Sequence, residues 1–236
     1  MIDIVTINKD NKDGLLQTIL SVISQTVFDQ INYIVIDGGS TDGSKEIIKK
    51  YKNLLGYSVS KKDKGIYNAM NKALSHLKGD YVLFLNSGDY LVSETVIEQV
   101  LKYLDGTPII YGDHMIFGFK KLVNLGGGVN IAVHSNEPVT SLMESPNKVD
   151  EIFFSGHSLP HQATFIKCDY MKEHPYNENY KIISDWILFR EAILENNIPY
   201  KQIPVAIMNF DMNGISSRRP DLTRKEQTEY YKTIGK

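Results

Sequence analysis

Apolar residues over the first ninety positions alternate between two rhythms. Ile2 to Ile7 is a short, nearly continuous apolar run that predicts a buried strand. Leu15, Leu16, Ile19, Leu20 and Ile23 then recur at helical spacing. Tyr33-Ile34-Val35-Ile36 predicts a second strand, closed by Asp37-Gly38-Gly39. Ser40-Thr41-Asp42-Gly43-Ser44 supplies capping residues for a helix through Ile47, Ile48 and Tyr51. Tyr57 to Ser60 reads as a short third strand. Ala69, Met70, Ala73, Leu74 and Leu77 mark a third helix that stops at Gly79. Tyr81 to Leu85 is the fourth strand. Strands that alternate with helices predict an α/β fold: a doubly wound, mainly parallel, Rossmann-like sheet with helices on both faces.

Beyond Asp89 the rhythm changes. A helix through Val96, Ile97, Val100, Leu101 and Leu104 leads to a strand at Ile109-Ile110-Tyr111. Lys120 to Val129 reads as strands broken by Gly126-Gly127-Gly128. Asn130 to Asp150 is polar, holds two prolines and shows no clear period, which predicts a mobile loop. His161 to Ile166 predicts a strand, Asp185 to Leu194 a helix, and Ile203 to Phe210 a last strand. Arg218 to Lys236 reads as a charged, helical tail. Nothing in the pattern divides the 236 residues into independent units, so a single domain is expected.

Composition narrows the classes. Hydrophobic residues make up 42% and charged residues 23%, the balance of a globular domain. A net charge of −2 gives no basic field for nucleic acid, so no nucleic-acid partner is expected. The single cysteine, Cys168, forms no internal disulfide, which fits a reducing, cytoplasmic setting. The start of the chain lacks a basic stretch and a long apolar run, so no signal peptide is expected. No segment approaches the roughly 20 apolar residues of a spanning helix.

The chemistry lies at the strand ends. Four predicted strands close on polar or acidic groups: Asn8, Asp37, the turn Lys61-Lys62-Asp63-Lys64-Gly65, and Asp89 in Asn86-Ser87-Gly88-Asp89. In a doubly wound sheet such ends share one rim, where ligands bind. A nucleotide suits that rim, with Asp37 or Asp63 accepting from a base N–H or a ribose hydroxyl and lysines near phosphate. An aspartate at position 89 can hold a divalent ion, and the ion a diphosphate. Asp, Gly and Lys are also ordinary turn residues. One such turn says little; four in sheet order carry the argument.

These segments resemble glycosyltransferase family 2. Asp37-Gly38-Gly39-Ser40-Thr41-Asp42-Gly43-Ser44 is similar to that family's DDGSTDGS segment, and Asp63 to Ala73 to its DKGIYDAMNKG segment. Gly79 to Asp89 resembles the strand that leads to its D-x-D. Pro160 to Phe165, with Ser184-Asp185-Trp186, resembles its acceptor-side motifs, and Gly214-Ile215-Ser216-Ser217 a late loop of one subgroup. The resemblance runs from about Ile2 to about Glu226 and is looser between Asn124 and Ser155.

The resemblance implies a GT-A fold and inverting transfer of a hexose from a nucleotide-sugar, with a UDP-sugar favoured, to a saccharide hydroxyl. It implies a lipid-linked acceptor of bacterial polysaccharide, O-antigen or capsule synthesis, and a cytoplasmic enzyme that can touch the inner membrane peripherally. The halves would then be 1–110 for the donor and 111–217 for the acceptor, with 218–236 as the tail. Asp37 and Asp63 fall at nucleotide contacts, within a donor-binding set of Thr6, Asn8, Asp37, Asp63, Lys64, Asn68, Ser87, Arg218 and Arg219. Asp89 falls at the last Asp of D-x-D, which holds Mg²⁺ or Mn²⁺, and Asp185 at the general base. His161 and Trp186 fall on the acceptor side.

Bland readings stand beside these. Asp185 alone reads as a helix cap, Trp186 as core, His161 as a structural histidine, and Arg218 with Arg219 as a solvated pair. One departure matters: Ser87 stands where D-x-D has its first Asp. That opens a second reading, a nucleotide-sugar-binding protein with lost or weak catalysis. A nucleotidyltransferase is a third, which the single glycine in Asn8 to Gly14 disfavours. An interaction module is the remaining one.

Overall fold

The computed structural model describes residues 1–124, 130–212 and 214–235. Its first half follows the apolar rhythm. β1 (Ile2–Asn8), β2 (Ile31–Asp37), β3 (Tyr57–Ser60) and β4 (Tyr81–Phe84) lie parallel in the order β3-β2-β1-β4. They are joined through α1 (Lys12–Ile23), α2 (Ser44–Tyr51) and α3 (Ile66–Ala73). β1, β2 and β4 are apolar on both faces because both faces are covered, as a parallel sheet requires. Val5, Ile34, Ile36 and Phe84 pack on one side with Tyr67, Met70 and Phe189. Ile4, Tyr33, Val35 and Leu83 pack on the other with Leu15, Ile19 and Val100.

The second half continues the same sheet. After β5 (Tyr90–Leu91) come α4 (Val96–Leu101), β6 (Ile109–Asn124), β7 (Asn130–Met143), α5 (Glu151–Gly156), β8 (Thr164–Lys167), α6 (Cys168–Glu173), α7 (Ser184–Arg190), β9 (Tyr200–Asp211), α8 (Ile215–Arg218) and α9 (Pro220–Thr233). The strand order is β3-β2-β1-β4-β8-β6-β9-β5, with β7 paired to β6. β8 is antiparallel to β4 and β6, and β5 to β9, whereas β6 and β9 are parallel. The α/β class therefore holds, with a parallel half fused to a mixed half.

Several expectations change here. Asn130 to Asp150 is not a loop throughout. Asn130 to Met143 pairs antiparallel with β6, from Asn124↔Asn130 to His114↔Met143. A hairpin strand is held by backbone hydrogen bonds to its partner, which need no apolar period of its own. The short strand at Ile109 to Tyr111 runs on to Asn124 for the same reason. The Gly126-Gly127-Gly128 break lies outside the described residues. His161 to Ala163 is a 3₁₀ turn, and the strand begins at Thr164. α7 passes into a π-helical turn at Glu191–Glu195. The tail is helical from Pro220, which sits at the first helical turn, where a missing N–H does no harm.

One buried cation ties the last helices to this frame. The side chain of Arg190 is fully buried and pairs with Glu151 of α5 at 3.0 Å and Glu195 at 2.6 Å. It also donates to Tyr230 Oη of α9 at 3.3 Å. Since α7 carries Asp185, this cluster fixes the helix on which the candidate base stands.

Candidate active site

The carboxyl ends of the parallel strands meet as the topology requires. Asn8 pairs in register with Asp37, and Asp37 with Ser60, so three strand ends stand side by side. Asn8 Nδ2 donates to Asp37 Oδ1 at 2.8 Å, Ser40 Oγ to the same oxygen at 2.5 Å, and Ser60 Oγ to Oδ2. Burial raises the Asp37 pKa, but these hydrogen bonds outweigh it and the net shift is downward. Asp37 is fully buried. It organises the rim from beneath. Asn8 Oδ1 is left buried without a hydrogen-bond partner among the described residues.

Above it opens a cavity of about 1020 Å³. One wall carries Asn8, Lys9, Gly38, Gly39 and Asp63. A β-carbon on Gly38 would come within 3.0 Å of Asp63 Oδ2, and one on Gly39 within 3.1 Å of the Lys62 amide. The two glycines thus let the β2 and β3 loops close together at the cavity edge. Asp63 is ion-paired with Lys72.

The floor is the turn after β4. The Ser87 amide donates to Ile7 O at 3.1 Å, so the turn runs beside the end of β1. Thr18 Oγ1 of α1 donates to Asp89 O at 2.7 Å and accepts from the Gly88 amide at 3.0 Å, which pins the turn from below. Gly88 has φ +105°, and a β-carbon there would meet Asp211 Oδ2 at 2.8 Å. Asp211, the last residue of β9, donates its amide to Asp89 Oδ1 at 2.8 Å. Burial drives the Asp89 pKa up to about 8; the Asp211 amide opposes this and the Asp211 carboxylate adds to it.

The two carboxylates suit a hard divalent cation, which takes oxygen ligands and keeps waters and phosphates in its shell. Among the described residues no group of three or more His, Cys, Asp and Glu could hold a metal. Asp89 and Asp211 would therefore share the ion with the ligand.

Asp185 lines the same cavity. It lies in the first turn of α7, yet no side chain caps that helix. Asp185 Oδ1 instead accepts from Tyr67 Oη at 2.7 Å. His161 is buried, stacks on Phe84 and shares a hydrogen bond between Nε2 and Tyr176 Oη at 2.7 Å. Burial lowers the His161 pKa, and the Asp185 charge offsets this only in part. Asp185, His161, Ile182 and Phe210 are shared with an adjoining cavity of about 320 Å³ that is also lined by His157, Pro160 and Trp186.

Of the residues singled out in the sequence, Asn8, Asp63, Ser87, Asp89, His161, Asp185 and Arg218 line the large cavity. Of the candidate site residues, Thr6, Asp37, Lys64, Asn68, Trp186 and Arg219 stand outside its lining. Thr6 is buried with its hydroxyl 3.0 Å from Tyr33 Oη. The Lys64 amide donates to Asn68 Oδ1, and Asn68 Nδ2 to Glu178 at 2.9 Å. Arg219 pairs with Asp221 at 2.9 Å. Trp186 donates to Phe154 O at 3.0 Å and is 3% exposed, so it is chiefly core with one edge on the smaller cavity. Sequence reasoning passed over Asn11, Tyr67, Gln162 and Asp211, all of which line the large cavity. Asp211 had a signal, because Ile207-Met208-Asn209-Phe210-Asp211 closes a strand on an acid as β2 does. Tyr67 lay inside the Asp63 to Ala73 segment without a role.

A sequence profile described as Glycosyl transferase family 2 matches residues 2–154. The chain belongs to this family. An uncharacterized glycosyltransferase of Mycobacterium tuberculosis is 28% identical over 224 residues, 92% of this chain and 78% of its own length. The Escherichia coli protein named UDP-Glc:alpha-D-GlcNAc-diphosphoundecaprenol beta-1,3-glucosyltransferase WfaP is 34% identical over 101 residues, 42% of this chain and 40% of its own. Among solved structures, S. aureus TarS 1-349 in complex with UDP-GlcNAc matches at TM-score 0.67 and 17% identity, over 92% of this chain and 60% of its own. The mannosyltransferase PcManGT from Pyrobaculum calidifontis, in complex with GDP-Man and Mn2+, matches at TM-score 0.69 and 11% identity, over all of this chain and 64% of its own. At these identities the two structures establish the GT-A fold of the family 2 chain. This chain spans less than two thirds of either. Among the described residues no helix is long and apolar enough to cross a membrane.

Proposed function

We propose that this family 2 chain transfers a hexose from a nucleotide-sugar, with a UDP-sugar favoured, to a saccharide hydroxyl, with inversion at the anomeric carbon. The observation that carries the reading is one cavity lined by Asn8, Asp63, the Asp89–Asp211 pair and Asp185. The nucleotide would lie along the ends of β1 to β3. Its ring N–H would meet acceptors such as the unpartnered Asn8 Oδ1, and Arg218 would meet the diphosphate. Asp89 and Asp211 would hold Mg²⁺ or Mn²⁺, which when bound neutralises charge on the leaving diphosphate.

Asp185 acts as general base. The acceptor oxygen bonds to the anomeric carbon, the bond from that carbon to the phosphate oxygen breaks, and the acceptor proton passes to the carboxylate. The smaller cavity, which opens beside Asp185 and carries His161 and Trp186, would seat the acceptor sugar. WfaP, named for a diphosphoundecaprenol-linked acceptor, supports a lipid-linked saccharide; with such an acceptor the chain would work at the cytoplasmic face of the inner membrane, in peripheral contact with it. Residues 1–110 would then serve the donor, 111–217 the acceptor, and 218–236 form the tail.

Ser87, which adds no charge beside Asp89, favours one rival: a nucleotide-sugar-binding protein that has lost catalysis. Slow metal-dependent release of UDP from UDP-sugars separates the two, since only the enzyme produces it. The proposal as a whole is tested by thermal shift with UDP-, GDP- and dTDP-sugars, with and without Mn²⁺. A ligand present at 100 times its Kd stabilises by about 2.7 kcal/mol, so the right donor raises the Tm by several degrees, and further with Mn²⁺. No shift with any donor would sink the reading.

A further inference from the structure

The Tyr67 hydroxyl has one proton and two acceptors. Its oxygen lies 2.7 Å from Asp185 Oδ1 and 2.5 Å from the backbone carbonyl of Ile182. Tyr67 is 4% exposed, and its ring packs 5.3 Å from that of Tyr176, so the phenol cannot turn away to water. A phenol donates once. When it donates to Asp185, the carboxylate is stabilised as an ion. When it donates to Ile182 O, its oxygen still faces Asp185, and that contact is bonding only if Asp185 supplies a proton. The carbonyl cannot supply one, so the two arrangements of the hydroxyl match the two protonation states of Asp185.

We propose that Tyr67 is the positioning residue of the catalytic base. Its proton points at Asp185 while the carboxylate is ionised, and turns to Ile182 O once Asp185 has taken the proton of the acceptor hydroxyl. The carboxyl group, by rotating about Cβ–Cγ, then donates that proton to the phenol oxygen. Ionised and neutral Asp185 are both fully hydrogen-bonded on this side, and no buried group is left unpaired when the proton moves. Tyr67 from α3, His161 before β8 and Tyr176 after α6 are the ionisable groups that sense the charge of Asp185, while Lys9, Asp10, Lys62, Asp63, Asp89, Asp211 and Arg218 share its cavity. His161 is held neutral by burial and its Nε2 is engaged with Tyr176, so Tyr67 is the hydroxyl in direct contact with the base.

This rests on the assignment of Asp185 as base, and the test keeps the two apart. Tyr67→Phe retains the ring and removes the hydroxyl. The full chain is assayed for UDP release from UDP-glucose with Mn²⁺, water serving as acceptor, for wild type, Tyr67→Phe, Asp185→Asn and the double variant. Tyr67→Phe is expected to lower kcat about tenfold with KM for UDP-glucose unchanged, and to move the acid limb of the pH–rate profile up by about one pH unit. In the Asp185→Asn background it should have no further effect on kcat. An unmoved acid limb, or a loss that multiplies with that of Asp185→Asn, overturns the role of Tyr67. Full activity of Asp185→Asn overturns the base itself. A urea-denaturation cycle at pH 7, with Asp185→Leu as the second substitution, reads the contact without turnover. A nonzero coupling supports the pairing, and a coupling of zero overturns it.

Discussion

At the scale of single residues, the site pairs acids that do unlike work. Asp37 is buried under hydrogen bonds that keep it ionised, and serves the rim. Asp89 is buried with the Asp211 carboxylate beside it, and burial raises its pKa; in the proposed reaction this pair would hold the cation. Asp185 is half-buried, reaches the cavity and is oriented by Tyr67. Loss of the base should slow turnover by roughly 10²–10⁴ with little change in donor binding. The Asp185→Asn variant, followed by rate and by thermal shift with the donor, checks this; near-wild-type turnover removes Asp185 from the mechanism. Asp63 and Asp89 were legible as strand-end acids. The Tyr67–Asp185 bond was not, because its partners lie 118 residues apart in sequence and no local period links them.

At the scale of elements, the parallel half could be read directly. Each of its strands and helices buries a face of its own, so each carries its own apolar repeat. The mixed half carries less. β7 is held by β6, and β6 outruns its apolar start because β9 and β7 flank it. The junction of β6 and β9 shows how tight this is. The ladder shifts register between Tyr111 and Asp113, and a β-carbon on the intervening Gly112 would sit 2.4 Å from Val205 O and 2.8 Å from Ile207 Cγ1. Gly112→Ala must push the strands apart. It should destabilise by about 2 kcal/mol and lower the Tm by roughly 4–8 °C in a domain of this size. A melting curve that overlays the wild type would show that the ladder yields freely there.

At the scale of the whole molecule, one sheet covered on both faces buries titratable groups along with its apolar ones. Burial lowers the His114 pKa from 6.5 to about 4, with Asp113 opposing, and His114 Nδ1 is buried without a hydrogen-bond partner among the described residues. The folded pKa lies below the unfolded one. Stability is therefore full above pH 6.5 and falls as the pH drops from there toward 4, because the unfolded chain gains a proton that the folded chain refuses. By pH 5 this amounts to about 2 kcal/mol, and His161 acts in the same direction. Urea denaturation at pH 7 and pH 5 should show that difference shrink in His114→Gln; an equal loss in both proteins would acquit His114. The sequence alone determined the alternation of strands and helices and the acids that close the strands, since both follow from contacts within a few residues. Only the tertiary structure decided that β8 runs against β4, that Asp211 stands beside Asp89, and that Tyr67 meets Asp185. Those pairings form when distant segments bury their surfaces together, and that free energy belongs to the assembled sheet and leaves no period in the chain.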